Sequence, residues 1–273
     1  MGKQDVIIGF QGRYSQAIQN LKTWSFFEWF FFFILIPLTI CLIFLLPQSI
    51  KDAYLIFDTT QLMKIQTYLL NEYTHSTFDH LVGNLKTYLI AIFVIFALED
   101  NKRRFKIMSF SAFILVPILA SLLTVAFWNI INRDTVSQGF SGITAAFFAY
   151  ALTIFLVWLL HDFLPAFQHP EKMTGRNKIV YYLLCGLVGC AFIMISTMGL
   201  QWGSFIQGET GVSNGIAHFG GFVTGLIVFL LCDLTSDDRN LNFNTIFGMA
   251  IFVSILLYIP YLQKVIDVAT IPK

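Results

Sequence analysis

The residues of this chain that could do chemistry fall in three short motifs, each at the start of a separate apolar stretch. They supply a hydroxyl nucleophile, a candidate base and a set of hydrogen-bond donors, which are the groups that acyl transfer requires. The pattern therefore predicts acyl-transfer chemistry within an apolar protein. The motifs are His75-x4-His80-x3-Asn84, Gly139-Phe140-Ser141-Gly142 and Ala217-His218-Phe219-Gly220-Gly221.

The candidate nucleophile is Ser141. The glycines of its motif, Gly139 and Gly142, leave the backbone unobstructed. An N–H at a helix N-terminus has no partner within the helix, so the Ser141 N–H can face an oxyanion. A GxSG tetrapeptide is a weak signal by itself, because Gly and Ser are also common packing residues in membrane helices.

His218 is the candidate base, and small residues continue directly below both it and Ser141. Stripes of small residues let two helix backbones approach closely, so we expect these helices to pack together and to bring Ser141 to His218. The alternative interpretation is ordinary helix packing without chemistry. The stripes are Gly221 and Gly225 after His218, and Ala145 and Ala149 after Ser141.

The sequence places no acidic residue where it would orient His218. Asp233 lies fifteen residues further on, which is roughly 22 Å along a helix. Asn214, four residues before His218, remains open as a neighbour. A serine hydrolase made of these residues would most simply use a dyad of Ser141 and His218.

His80 and Asn84 are four residues apart and share one face of a helix. Both can donate hydrogen bonds, and with the Ser141 N–H they would form an oxyanion site, each donor lowering the barrier by about 3–4 kcal/mol. The alternative is helix capping and polar contacts between helices. The spacing of His75 and His80 separates them on a helix, and no HExxH sequence is present, so no metal or cofactor is expected.

The composition indicates a membrane protein. Of the 273 residues, 56% are hydrophobic and only 12% are charged, whereas soluble proteins carry about 25% charged residues. A net charge of +1 and the lack of a basic run with interleaved aromatics exclude a nucleic-acid partner. The cysteines lie in apolar runs without CxxC spacing, which favours inert thiols. They are Cys41, Cys185, Cys190 and Cys232.

Seven stretches approach or exceed the roughly 20 apolar residues that a membrane span needs. Polar residues open the second and the sixth of these spans. We therefore predict an all-α, polytopic membrane protein. The predicted spans cover residues 26–46, 80–98, 107–130, 141–160, 179–199, 215–232 and 243–262.

The distribution of Lys and Arg predicts a cytoplasmic N-terminus. With that orientation the inside segments hold eleven Lys and Arg residues and the outside segments hold five, with the strongest cluster at Lys102–Lys106. The second, fourth and sixth spans then all run from the outside inward. All three motifs would thus lie at one depth on the outer side, and we expect a location in the cell membrane.

Taken together, these motifs resemble those of the rhomboid family of intramembrane serine proteases. The family pattern is H-x4-H-x3-N in the second helix, GxSG at the fourth and AHxxG in the sixth. This chain matches it in order and spacing over about residues 26–232. The matching residues are His75, His80, Asn84, Gly139, Ser141, Gly142, Ala217, His218 and Gly221, with Gly225 continuing the glycine face.

For the chemistry, the resemblance implies Ser141 as the nucleophile and His218 as the general base. His80, Asn84 and the Ser141 N–H would form the oxyanion site, and His75 would be structural. The substrates of the family are single-span membrane proteins, which are cut at or just within the outer end of a helix. The lipid bilayer is the other expected partner.

For the architecture, the resemblance implies a six-helix core over residues 26–232, preceded by a cytoplasmic tail at 1–25. Residues 233–273 would hold a linker and one added transmembrane helix. Residues 47–79 would form a membrane-embedded first loop, and residues 200–214 would form a cap over the site.

The chain departs from the family at two places. Family members often carry Trp-Arg nine and eight residues before the first motif histidine, where this chain has Gln66 and Thr67. The first loop would then be held differently. Four residues after the nucleophile the family often has an aromatic residue that stacks on the base, where this chain has Ala145. Phe147 and Phe148 are candidates to hold His218 instead.

Other functions remain open at this point. A non-catalytic rhomboid-like protein would bind membrane clients and control their fate, but such relatives usually lack the serine or the histidine, and both are present here. A small-solute transporter or channel would predict an internal repeat, and none is visible in the sequence.

Overall fold

The computed structural model describes residues 17–130, 134–158 and 208–234. These residues are mostly helical, and five of their helices are long and apolar enough to cross a membrane, as an all-α polytopic membrane protein requires. The predicted spans at 179–199 and 243–262 lie outside the described residues. So do residues 1–16 of the predicted tail and residues 235–273 of the predicted linker and added helix.

The described chain begins with helical residues 17–23, which are followed by the labelled elements. A 3-10 turn at Asn71–Tyr73 follows α3. In chain order the elements are α1 (Phe26–Phe44), α2 (Gln48–Tyr54), β1 (Phe57–Asp58), α3 (Thr67–Leu70), α4 (Phe78–Leu98), α5 (Lys102–Ile130), β2 (Val136–Ser137), α6 (Ser141–Trp158) and α7 (Gly208–Leu234).

Three predicted boundaries were wrong. Helix α4 begins at Phe78 because the Thr77 side chain accepts the His80 N–H and caps it. Helix α5 begins at Lys102, inside the basic segment predicted as a loop, because Asn101 caps it in the same way. Helix α7 begins at Gly208, so residues 208–214 of the predicted cap are helical.

Helices α1 and α5 each contain one π-helical stretch, at Phe31–Leu35 and Ser111–Leu115. Each stretch ends two residues before a proline, Pro37 in α1 and Pro117 in α5. A proline inside a helix lacks an N–H and its ring collides with the carbonyl four residues earlier. The wider π turn accommodates that collision and lets both helices continue as spans.

Helix α6 lies at the centre of the described bundle. Every residue from Ser141 to Leu156 is buried. Its most extensive neighbours are α7 and α4. A helix enclosed on all sides must be apolar around its whole circumference, and α6 is. Its first residue is the candidate nucleophile, so the packing of α4 and α7 against α6 decides what surrounds Ser141.

A buried ion pair joins the helices at the end of the bundle remote from Ser141. Arg104 donates to both carboxylate oxygens of Glu99, from Nε at 2.9 Å and from Nη2 at 2.8 Å. The Tyr150 hydroxyl donates to the same carboxylate. The Arg104 guanidinium also lies 4.7 Å from the ring centre of Phe229. This cluster ties the end of α4, the start of α5, and the bodies of α6 and α7 together.

A two-residue strand pair ties the first long connection to the segment before Ser141. Strands β1 and β2 pair antiparallel, with Phe57 opposite Ser137. The pairing continues at Thr59, whose N–H donates to the Thr135 carbonyl at 3.1 Å and whose hydroxyl accepts the Thr135 N–H at 2.8 Å. Residues 57–59 thereby fix the backbone that leads into the Gly139 motif.

Candidate active site

Helices α6 and α7 pack backbone against backbone at two glycines. A Cβ built on Gly221 would lie 2.0 Å from the Gly142 carbonyl oxygen, and one on Gly225 would lie 2.6 Å from the Ala146 carbonyl oxygen. Only glycine fits at either place. The closest atoms of α6 in this contact belong to Gly142, Ala146 and Ala149, and Ala149 is one of the two alanines predicted for it.

The same contacts fix the level of His218. Gly142 and Gly221 are 79 positions apart in the chain, and so are Ala146 and Gly225, so the two helices run parallel. His218 lies three residues before Gly221, so it lies beyond Gly142 at the end of α6 where Ser141 begins the helix. The His218 side chain is buried at this end of the helix pair.

Gly139 lies directly against the side chains of His80 and Ser141. Its φ of +142° is a conformation that side chains rarely adopt. A Cβ built there would lie 2.8 Å from His80 Cε1 and 3.6 Å from Ser141 Oγ. His80 also lies close enough to His218 for the two imidazoles to interact electrostatically. Gly139 therefore has the candidate nucleophile and one imidazole beside it, and His218 lies at the same end of α6.

Ser141 Oγ is buried and makes no hydrogen bond within the part of the chain that the structure describes. A buried hydroxyl without a partner is uncommon, because leaving it unpaired costs about 1–3 kcal/mol. Such a group at a helix start, with imidazoles nearby, has the components of acyl-transfer chemistry.

His75 holds the backbone immediately before Ser141. Its Nε2 accepts the Phe140 N–H at 3.4 Å and the Asn84 Nδ2 group at 3.0 Å, so its proton is on Nδ1. Burial, with a smaller effect of His80, lowers the His75 pKa to about 3, which keeps Nε2 an acceptor at neutral pH. The neutral ring can thus receive both donors.

The rings of His75 and His80 lie 5.2 Å apart, edge to face. The expectation that their spacing separates them was wrong, because His75 precedes α4 and does not lie on it. Asn84, predicted as an oxyanion donor, has its amide nitrogen on His75. That nitrogen carries a second hydrogen, which this contact does not use.

Sequence reasoning missed Asn71 and Glu72, which lie in the 3-10 turn after α3. The Asn71 carbonyl accepts the Gly139 N–H at 3.0 Å. The Glu72 carboxylate accepts the Gly142 N–H at 2.8 Å, and the Ile143 N–H lies near the same carboxylate. Burial raises the Glu72 pKa to about 8, against the opposing effect of these two N–H groups. The only signal in the sequence was an acidic residue three positions before His75.

The residues at the two positions where the chain departs from the rhomboid pattern have the following surroundings. Thr67 is buried and donates to the Lys64 carbonyl at 2.7 Å, whereas Gln66 is exposed. Phe147 packs edge-on against Tyr88. The ring of Phe148 lies 6.2 Å from that of Phe222, one turn beyond His218.

The described residues contain no group of three or more His, Cys, Asp or Glu side chains that could hold a metal ion. Comparison with known protein families found no family model that matches the chain, and comparison with curated proteins found no match. The function must therefore be argued from the geometry around Ser141.

Proposed function

We propose that this chain is a rhomboid-type intramembrane serine endopeptidase that cuts single-span membrane proteins. The observation that carries the proposal is the convergence on Gly139. The unbonded hydroxyl of Ser141 and the ring of His80 adjoin this glycine, and the α6–α7 register sets His218 at the same end of α6. Three segments distant in the chain thus come together at one end of a buried helix, with Ser141 as the proposed nucleophile, His218 as the proposed base and His80 as the proposed donor.

In the proposed reaction, His218 takes the proton from Ser141 Oγ as the oxygen attacks a peptide carbonyl of the substrate. The negative charge on the carbonyl oxygen is stabilised by the Ser141 N–H and by His80, and Asn84 has one further N–H to offer. The peptide C–N bond then breaks and His218 returns the proton to the leaving nitrogen. Water, activated by His218, hydrolyses the acyl-enzyme and restores Ser141.

The substrate class is the one that the resemblance to rhomboid proteases implies, and the burial of the site between apolar helices suits it. A helical substrate has its carbonyls bonded within the helix, so it must unwind locally before it can be attacked. The proposal includes six core helices and an added seventh, a cytoplasmic N-terminus and cleavage near the outer face of the cell membrane. These rest on the sequence motifs and on the Lys and Arg distribution.

The test uses the purified full chain in detergent with a generic single-span membrane substrate. Wild type is expected to yield two fragments and to react with a fluorophosphonate probe, and Ser141→Ala is expected to do neither. The matched control is Ser76→Ala, which removes an exposed serine in the loop next to His75 and should leave both activities intact.

Undiminished cleavage by Ser141→Ala would reject this nucleophile. A protein that only binds clients would bind the substrate without producing fragments in wild type as well. His218→Ala provides the second arm, since loss of the base should abolish cleavage while the substrate still binds.

A further inference from the structure

The N-terminal turn of α6 has its backbone donors distributed in an unusual way. The first N–H groups of any helix have no partner within the helix. Here the Phe140 N–H donates to His75, the Gly142 N–H donates to Glu72, and the Thr144 N–H donates to the Phe140 carbonyl. The Ile143 N–H lies near the Glu72 carboxylate.

One donor of this turn is left over. The Ser141 N–H has no hydrogen bond to any described residue. It belongs to the same residue as the unbonded Oγ. A peptide carbonyl attacked by that Oγ needs a donor at this position for its oxygen. The N–H groups of Phe140 and Gly142, on either side of Ser141, are therefore occupied, and the Ser141 N–H is left where a substrate carbonyl would bind.

The carboxyl group of Glu72 packs closely against the backbone of Gly142. A Cβ built on Gly142 would lie 2.7 Å from Glu72 Oε2 and 3.0 Å from its Cδ, so the carboxyl group lies directly against the glycine backbone. The neighbouring Asn71 carbonyl binds the Gly139 N–H on the other side of Ser141. The 3-10 turn at Asn71–Tyr73 thus accepts hydrogen bonds from the backbone on both sides of Ser141.

We propose that Glu72 is a positioning residue for Ser141, binding the Gly142 N–H and packing against the Gly142 backbone so that the Ser141 N–H remains for the substrate carbonyl. This inference rests on the proposed function. Glu72 acts through the backbone and is not the base, because Ser141 Oγ makes no hydrogen bond to it.

The protonation state of Glu72 decides which substitution imitates it. With a pKa raised by burial to about 8, the carboxyl group is mostly protonated at neutral pH and keeps a carbonyl oxygen as acceptor. Glutamine has the same shape and the same acceptor. Methionine has similar length and suits an apolar site but offers only a weak acceptor.

The experiment measures kcat, KM and the thermal unfolding midpoint of wild type, Glu72→Gln and Glu72→Met in detergent at neutral pH. We expect Glu72→Gln to retain kcat within about threefold. Glu72→Met should lose kcat by about 10- to 100-fold, with KM within about twofold, because misplacing a reacting group by 1 Å costs up to about 100-fold in rate. The unfolding midpoint should stay close to that of wild type in both.

A merely structural role predicts something else, namely a lower unfolding midpoint with unchanged kcat per probe-labelled molecule. That result overturns the inference, as does a Glu72→Gln variant as impaired as Glu72→Met. If Glu72→Met does not fold, Gly142→Ala decides, since its methyl group displaces the carboxyl and should lower kcat similarly. A Gly142→Ala variant with wild-type kcat overturns the inference.

The failure of this inference differs from the failure of the proposed function. If wild type neither cleaves nor labels, the proposed function fails first. If wild type cleaves, Ser141→Ala does not, and Glu72→Met cleaves at the wild-type rate, only the role of Glu72 is rejected.

Discussion

Replacing Gly221 with alanine places a methyl group at the closest contact between α6 and α7. The new Cβ would lie 2.0 Å from the Gly142 carbonyl oxygen and 2.8 Å from its carbonyl carbon. Carbon and oxygen atoms in proteins approach to about 3.3 Å, so the helices must separate by more than about 1 Å. The obstructing atoms belong to the backbone and cannot rotate away as a side chain can.

Two consequences follow for the Gly221→Ala variant. Overpacking a fitted core typically costs 1–3 kcal/mol, and occasionally more, so we expect destabilisation of about 3 kcal/mol. His218 lies one turn from Gly221 on α7, so the same displacement moves the candidate base relative to Ser141. A shift of about 1 Å corresponds to about a 100-fold loss in kcat.

The chain offers two matched controls for this variant. A Cβ on Gly220 would meet only the end of a side chain, Leu123 Cδ1 at 2.9 Å, with the nearest backbone atom at 3.8 Å. A Cβ on Gly83 in α4 meets nothing within 4 Å. We expect Gly220→Ala to cost less than about 1 kcal/mol, and Gly83→Ala to stabilise α4 by up to about 1 kcal/mol.

The assay is the thermal unfolding midpoint in one detergent, together with the cleavage rate of the generic substrate. Our reasoning is refuted if Gly221→Ala unfolds and cleaves like Gly220→Ala. If Gly221→Ala is destabilised but keeps its cleavage rate, the close contact between α6 and α7 is supported. The inferred displacement of His218 is then rejected.

Three further outcomes are expected. Gly139→Ala should lose most cleavage, because alanine is strained at φ +142° and its methyl group enters the neighbouring imidazole; fragment yield measures this. Arg104→Met should destabilise the fold by about 3–5 kcal/mol, because it leaves the Glu99 carboxylate buried without its charge partner; the exposed neighbour Arg103→Met is the control for the unfolding midpoint. For Glu72, the pKa raised from 4.5 to about 8 gives stability that is fully present below pH 4.5 and is lost as pH rises through about 8. The unfolding midpoint of wild type should therefore fall across this range relative to Glu72→Gln, and parallel curves for the two proteins would contradict the shift.

The spans could be predicted because length and apolar composition alone determine whether a helix can cross a membrane. Five of the predicted spans coincide with described helices that are long and apolar enough to cross a membrane. Their ends were less predictable. The basic residues after Asn101 resembled a loop, although the cap at Asn101 was a readable start signal. The start of α7 at Gly208 runs through a Gly- and Ser-containing stretch whose composition favours a loop.

The catalytic assignment of Ser141 and His218 stays a prediction, and the structure adds the parts that sequence patterns do not carry. Glu72 acquires its place only when the turn after α3 packs against the start of α6, a contact between residues 70 positions apart. His75 and His80 come together because His75 precedes α4 and His80 lies in its first turn, which depends on where the cap forms. Neither contact follows from a periodic pattern of residues in the sequence.

The Arg104 cluster holds α4, α5, α6 and α7 together at the end of the bundle remote from Ser141. When helices are held together at one end, a change in tilt separates them little at that end and most at the opposite end. Tyr150 lies nine residues beyond Ser141, which is about 13 Å along α6. A tilt of about 20° around that pivot opens about 5 Å at the serine, close to the spacing between two paired strands. In the proposed reaction the substrate segment would therefore enter at the Ser141 end, and the Arg104 end of the bundle would stay closed.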